Sequence, residues 1–362
     1  MPADGVCDIC TPHGCPSARF DSTSSPRIYA TARIHLMTTM AYCRRMHTGR
    51  GVVVVGAGVS GLTTAICLAE AGYRVTVRAA ELDLDTTSFA AGAIWGPYLA
   101  KDERIFPWSD ETRQILLGLT GDPDTTGVRD GFGLEAARTP VDPPAWMAAL
   151  PGFRAATADE LPDGFVVGWW YSAPLVDMPV YLRYLRERLD ATGTPVERRS
   201  VDALTEAAEG DEIVVNCTGV YAGKLTGDES LVPTRGQIVV VENPGIDEFF
   251  CEHDESALPI ACLPHGPNLA LCGSIEPGRW DREPNLDVSA RLIQMCATID
   301  PRVATAKVLD HRVGIRPYRP TVRLEHERVN GLDVVHNYGH GGAGVTASWG
   351  CGHAVVRIVS GL

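Results

Sequence analysis

The sequence has no apolar run of about 18 residues, so no transmembrane helix is indicated. It has no surplus of basic charge either. The formal net charge is −13, which argues against a nucleic-acid surface or an anionic membrane as partner. Near the start, no apolar segment follows the charged residues, so a secretory signal peptide is not expected. Eleven cysteines occur, but they do not form two paired clusters. Cys7, Cys10 and Cys15 lie close together beside His13, yet three cysteines without a second pair do not match zinc-ligand spacing, and no metal is assigned. Cys67, Cys217, Cys262 and Cys272 sit among apolar residues and read as small core residues in a reducing compartment. No internal repeat is visible.

What is present begins with a leader. Residues 1–49 are rich in Pro, Ser and Thr without helix or strand period, and they read as a disordered leader, with Met46 as a natural start. The remaining length suggests two domains, or one α/β unit carrying a second lobe.

The stretch from Val52 to Ala79 is the most ordered in pattern. Four consecutive valines predict a strand buried on both faces, as in a parallel sheet. Gly56, Gly58 and Gly61 then complete G-x-G-x-x-G, with Ala57, Val59 and Ser60 between them. Ser60 is expected to cap a helix over about Gly61 to Ala71, which Gly72 stops before a second strand. In such a unit the first glycine permits a tight turn, the second lets backbone approach a pyrophosphate, and the third lets helix and strand pack closely. The helix N-terminus presents free N–H groups to the anion. Glu81 follows Gly61 by about twenty residues, where a carboxylate accepts hydrogen bonds from a ribose diol. Asp83 and Asp85 compete for that role.

Further along, Thr86, Thr87 and Ser88 precede a small-residue stretch containing Gly92, Ala93 and Gly96, which suits a chain lying along a phosphate-bearing ligand. Residues 101–176 are rich in turn signals, with short strands expected over Gly131–Glu135 and Gly164–Ser172. A helix is expected over Val180–Leu189, a strand over Val196–Val201, and a buried strand ending in Asn216-Cys217-Thr218-Gly219. Asn243–Leu258 reads as a loop with an exposed Phe249-Phe250 pair. A hairpin is expected around Pro264-His265-Gly266, and a helix over Val288–Ile299. Near the end, three arginines stand among prolines in His311–Pro320. Asn337–Thr346 then carries four glycines into a helix expected over Thr346–Val359. A second glycine loop at a helix N-terminus points to a nucleotide touched at both ends of the chain, FAD more than NAD.

VVVVGAGVSGL, TTSFAAGAIWGPY, GWWYSAPLVDMPVYLRYLRERL, VVNCTGVYAG, TRGQ, GIRPYRPTVRLE and NYGHGGAGVTASWGCG, in that order, resemble the D-amino-acid oxidase family of flavoproteins. The resemblance covers the chain from about Gly51 to its end. It implies an α/β fold: a Rossmann-like FAD-binding domain (residues 50–100, 177–228 and 310–362) and an α+β substrate domain on a mostly antiparallel sheet (101–176 and 229–309). It implies FAD as cofactor, and an amino-acid substrate and O2 as partners. The implied reaction transfers a hydride from Cα of a D-amino acid to flavin N5. The imino acid formed hydrolyses to a 2-oxo acid and ammonia, and O2 becomes hydrogen peroxide.

By the same resemblance Arg316 grips the substrate carboxylate, a bidentate task suited to its planar fork. The backbone of Gly342 receives the amine. His340, Gly341, Gly342, Ala343, Gly344, Val345 and Thr346 face the flavin, Arg323 contacts FAD, and Glu81, Thr86, Thr87, Ser88, Gly92, Ala93 and Val201 fall on other cofactor positions. Arg319 and Tyr338 read as structural. The chain departs from the family pattern at Ala261, where a tyrosine usually contacts the carboxylate, and at Gly96, Ala343 and Ser348. Gly96, Ala261 and Ala343 are therefore assigned to an altered, wider substrate pocket for a bulky substrate, with Phe249 and Phe250 as apolar candidates to replace the tyrosine. The alternatives are a related oxidase acting on glycine, sarcosine or a specialised metabolite, and a non-catalytic FAD-binding protein. A cytoplasmic location is expected, since Ser360-Gly361-Leu362 only faintly resembles a peroxisomal address.

Overall fold

The computed structural model describes residues 50–362, apart from 83–84, 98–101, 211 and 254–257. The expected leader, the Cys7, Cys10, Cys15 and His13 group, and Asp83 lie outside the described residues.

Fourteen strands join one sheet among the described residues: β1 (Gly51–Val55), β2 (Arg74–Ala79), β3 (Val128–Ala137), β4 (Arg154–Ala155), β5 (Val167–Val176), β6 (Val196–Arg198), β7 (Ile213–Asn216), β8 (Val232–Glu242), β9 (Phe249–Glu252), β10 (Ala261–His265), β11 (Asn268–Cys272), β12 (Glu276–Pro277), β13 (Val308–Val329) and β14 (Leu332–His340). At one end, β6, β2, β1, β7 and β14 are neighbours and all parallel. The four valines of β1 lie at the middle of this part and are at most 3% exposed, as their unbroken apolar run requires. At the other end, β13, β8, β11, β10 and β9 pair antiparallel. Beyond them β9 runs parallel to β3, which carries β5 and then β4. The architecture is α/β with a large, mostly antiparallel second part, as expected.

β13 is the member common to both parts. Its first half, Val308–Tyr318, pairs with β8, and its second half, from Arg323, pairs with β14. The register with β14 shifts between Tyr318 and Arg323, where Pro320 has no N–H to give the ladder. Arg316 stands just before that shift.

Several sequence expectations shift. The first helix runs Val59–Glu70 with Gly58 at its N-cap and no side-chain cap. Ser60 lies inside the first turn and is not the cap; the Val59 N–H donates instead to Ser88 Oγ, at 2.9 Å. The expected β6 ends at Arg198, the C-terminal helix begins at Ser348, and the helix expected over Val288–Ile299 is Leu286–Ala297 with Asn285 as its cap. The larger correction concerns Asn243–Leu258. This stretch contains β9, and Phe249 and Phe250 are 1% and 5% exposed rather than on the surface. Phe249 packs on Tyr171 and Phe250 on Phe165, with ring centroids 5.2 and 5.3 Å apart. Neither borders the cavity described below, so neither replaces the missing tyrosine.

Candidate active site

One cavity of about 1220 Å³ opens between the ends of the parallel strands and the first half of β13. It exceeds the roughly 300–1,000 Å³ of sites for drug-sized ligands, which suits a dinucleotide with a small molecule beside it. Its wall begins with the glycine turn, Gly56 through Ser60. Gly56 has φ +114°, and a Cβ there would lie 2.8 Å from the Cys217 carbonyl carbon. Gly61 lies behind the wall. A Cβ on it would meet the Gly56 carbonyl, 2.8 Å from its carbon, so its absence is what lets the helix sit against the strand.

The next wall carries Glu81, Thr86, Thr87, Ser88, Gly92 and Ala93, with Val201 nearby. Ala93 holds φ +53°, an unusual value for a residue with a Cβ. The Thr87 hydroxyl bonds both the N–H and the carbonyl of Ile315, each at 3.2 Å, tying this segment to β13. Glu81 lines the cavity, as Asp202 and Glu252 also do; Asp85 does not, and it pairs with Arg198 at 3.1 Å. The Glu81 carboxylate also receives both arms of Arg282, at 3.0 and 3.1 Å, and the Tyr221 hydroxyl at 3.2 Å.

His340, Gly341, Gly342, Gly344, Val345 and Thr346 form the opposite wall. His340 Nε2 lies 3.1 Å from Asn337 Oδ1, and Asn337 Nδ2 donates to Thr64 Oγ1 at 3.0 Å. The Asn337 oxygen is thus the accepting end, and His340 carries its proton on Nε2. Burial pushes the His340 imidazole down to about 4, so it is neutral near pH 7. Thr346 Oγ1 donates to the Gly96 carbonyl at 2.9 Å and accepts from the Gly96 N–H at 3.2 Å.

Besides Gly61, three assigned residues do not line the cavity. Gly96 is buried beneath Thr346. Ala343 faces away, into a cluster with Ile105, Val322 and Leu324; alternation around the tight loop turns its side chain from the cavity while its neighbours face it. Arg323 is committed elsewhere, to Glu325 at 2.8 Å, Glu327 at 2.7 Å and the Tyr338 hydroxyl at 2.9 Å. Gly96 and Ala343 are therefore not pocket-lining residues, and Arg323 has no cavity contact. Tyr338 is fully buried and, like Arg319, bonds Asp228 at 2.9 Å, in keeping with structural roles. Ser348 is buried, its hydroxyl donating to the Val345 carbonyl.

The antiparallel part supplies the floor. Cys251, Ala261 and Cys272 stand opposite one another across β9, β10 and β11, and all three line the cavity beside Ile238 and Leu263. Burial raises the Cys272 thiol to about 12, so it is an uncharged apolar wall. Arg316 lies at the edge of this floor. Nη1 donates to the Ser274 carbonyl at 3.0 Å, and no carboxylate pairs with the guanidinium among the described residues. Desolvation lowers its pKa, but an arginine stays charged in water. A positive charge removed from bulk water without an anionic partner is costly; here the cavity is where its partner can enter. Sequence reasoning missed Arg282, Tyr221, Cys251, His253 and Gly236 at the cavity. Of these, Gly236 lies within TRGQ and Tyr221 within VVNCTGVYAG, while Arg282, Cys251 and His253 fall in no motif that announces a ligand.

The cavity brings the glycine turn and Arg316 to one space. A family model described as FAD dependent oxidoreductase (DAO) matches residues 51–358. A D-amino-acid oxidase of Rubrobacter xylanophilus is 45% identical over 302 residues, covering 83% of this chain and 92% of its own length. That of Streptomyces coelicolor is 44% identical over 316 residues, covering 85% and 96%. A glycine oxidase structure from Geobacillus kaustophilus superposes with a TM-score of 0.72 at 20% identity, over 85% of this chain and 94% of its own, a likeness of fold. No described helix is long and apolar enough to cross a membrane. The chain is a member of the D-amino-acid oxidase family of FAD-dependent oxidoreductases.

Proposed function

We propose that this protein oxidises a D-amino acid to the imino acid, which hydrolyses to the 2-oxo acid and ammonia, with O2 reduced to hydrogen peroxide. Bound FAD supplies the two-electron acceptor and the reaction with O2. The single observation that carries the reading is Arg316: a charged fork at the cavity floor, bonded among the described residues to a backbone carbonyl and to no anion. A substrate carboxylate supplies that anion, and two parallel charge-assisted hydrogen bonds fix its plane. With the carboxylate held there, the amine falls toward the Gly342 backbone and Cα toward the cofactor. Catalysis is then largely positioning, and neutral His340 adds no competing cation.

The cofactor is held, on this reading, by the Gly56–Ser60 turn, Glu81, the Thr86–Ala93 segment, Val201 and the His340–Thr346 loop. The parallel part acts as the FAD-binding domain and the antiparallel part as the substrate domain. The floor of Cys251, Ala261 and Cys272 carries no large side chain, which supports a bulky D-amino acid over glycine or sarcosine. We place the enzyme in the cytoplasm, with no nucleic-acid or membrane partner. The test is anaerobic bleaching of the bound flavin by a panel of D-amino acids, followed by peroxide release on admitting O2. Bleaching by D-Trp or D-Phe faster than by D-Ala is expected. Absence of bleaching by every D-amino acid would refute the reading.

A further inference from the structure

The guanidinium of Arg316 rests on bare backbone. β8 and β13 place Gly236 directly opposite Gly314, with Thr234 opposite Arg316. The Arg316 side chain folds diagonally across this ladder onto Gly236. A Cβ on Gly236 would lie 2.6 Å from Nη2, and closer still to Nη1 and Cζ. Opposite, a Cβ on Gly314 would lie 3.1 Å from both Ala90 Cβ and the Thr87 carbonyl, so the cofactor-side segment occupies the neighbouring space.

This piece of β8 cannot yield to make room. Side chains alternate between sheet faces, and the residues flanking Gly236 are both fully buried on the other face. Arg235 donates to the Gln237 side chain at 2.9 Å, to the Glu283 carbonyl at 2.7 Å and to the Asp281 carbonyl at 3.1 Å, and it pairs with Glu276. Gln237 in turn donates to Ser289 Oγ at 2.7 Å and to the Asn285 carbonyl at 2.8 Å. The strand is pinned on both sides of the glycine, and Ser274 holds one arm of the fork from above.

We propose that Gly236 is a positioning residue for substrate recognition: its missing side chain, on a pinned strand, sets the height and tilt of the Arg316 fork over the cavity floor. The inference rests on Arg316 being the carboxylate clamp. A residue with a Cβ at 236 lifts the fork toward the ligand and misaligns both of its hydrogen bonds, while the glycine turn and the Thr87 segment stay in place.

The test uses the FAD-saturated enzyme and benzoate, a carboxylate without an amine, followed through the perturbed flavin spectrum. Gly236→Ala is expected to weaken benzoate and raise KM for the D-amino-acid substrate by about tenfold or more, with kcat changed less and FAD affinity within about twofold. Arg316→Ala is expected to weaken benzoate about a hundredfold, and the double variant to be no weaker than Arg316→Ala alone. Unchanged benzoate affinity in Gly236→Ala, or a double variant whose loss is the product of the two single losses, overturns the proposal while leaving the clamp intact. Full benzoate affinity in Arg316→Ala removes the clamp itself, and the inference falls with it. If Gly236→Ala does not fold, recovery of a folded, yellow double variant supports the clash with the guanidinium. A double variant that is also unfolded counts against it.

Discussion

Replacing Ala261 by tyrosine probes the shape of the floor directly. Ala261 is half-buried, lines the cavity, and sits in register between Cys251 and Cys272. A ring added there projects over two small neighbours rather than into the packed core. The fold should therefore tolerate it, with Tm shifting by no more than a few degrees. For a small substrate the new hydroxyl adds one hydrogen bond to a charged carboxylate, worth about 1.5–3 kcal/mol, or about tenfold to a hundredfold in kcat/KM. For D-Trp the ring fills space that the indole otherwise occupies. Losing burial of a large apolar side chain costs about 1.5–3 kcal/mol, a similar factor in the opposite direction. The carboxylate bond is open to both substrates and cancels in a ratio, so kcat/KM for D-Ala over D-Trp should rise by the burial factor, about tenfold to a hundredfold. Initial rates of peroxide formation with the two substrates, at saturating FAD, measure it. An unchanged ratio in Ala261→Tyr would show that this position does not bound the substrate. A wild-type enzyme that already prefers D-Ala would refute the wide floor itself.

Three further outcomes are expected. Gly61→Ala drives a methyl against the Gly56 carbonyl, so the helix must move by a cost of about 1–3 kcal/mol; reconstitution of apoprotein should give FAD affinity at least tenfold weaker, and wild-type affinity would contradict the close-packing role. Glu81→Ala removes the carboxylate proposed to hold the cofactor's ribose; titration should report about tenfold weaker FAD, with KM for the amino acid unchanged once FAD is saturating. His340 is held neutral, its pKa about 4 when folded against an ordinary 6.5. The unfolded chain then binds the extra proton first, so this contribution is complete above pH 6.5 and is lost as pH falls toward 4, by up to about 3 kcal/mol. Urea unfolding of the apoprotein across that window, compared with His340→Asn, should show the slope flattened in the variant; identical slopes would assign it to other groups.

The parallel part of the fold was legible because its signals are local. A four-valine run, three glycines and an acid lie within thirty or so residues, and each acts through its own backbone or immediate neighbours. The same holds for the β10–β11 hairpin around Gly266. β9 escaped notice because one of its two partners, β3, is far away in the chain and parallel to it, and polar flanks hide three buried residues. Arg323 was placed on the cofactor by motif alone, whereas Glu325 and Glu327, two and four positions on, hold it more locally. Ala343 shows the limit of reading loops: membership of a glycine loop is visible, but which way each side chain turns depends on the residues packed behind it. Arg282 could not be found at all, since its contact with Glu81 joins residues 201 positions apart.

The unbroken course of β13 has a consequence for traffic. One strand carries Arg316, the proposed clamp, in its first half and joins the parallel part of the sheet in its second, hydrogen-bonded to β8 and then to β14. The two regions cannot part like jaws without tearing that ladder, so reactants and products must enter and leave along the open cavity rim while clamp and cofactor bed keep a constant separation. Natural variation in substrate range is then cheapest on β9, β10 and β11, whose short strands can exchange floor residues without disturbing the spacing that the chemistry depends on.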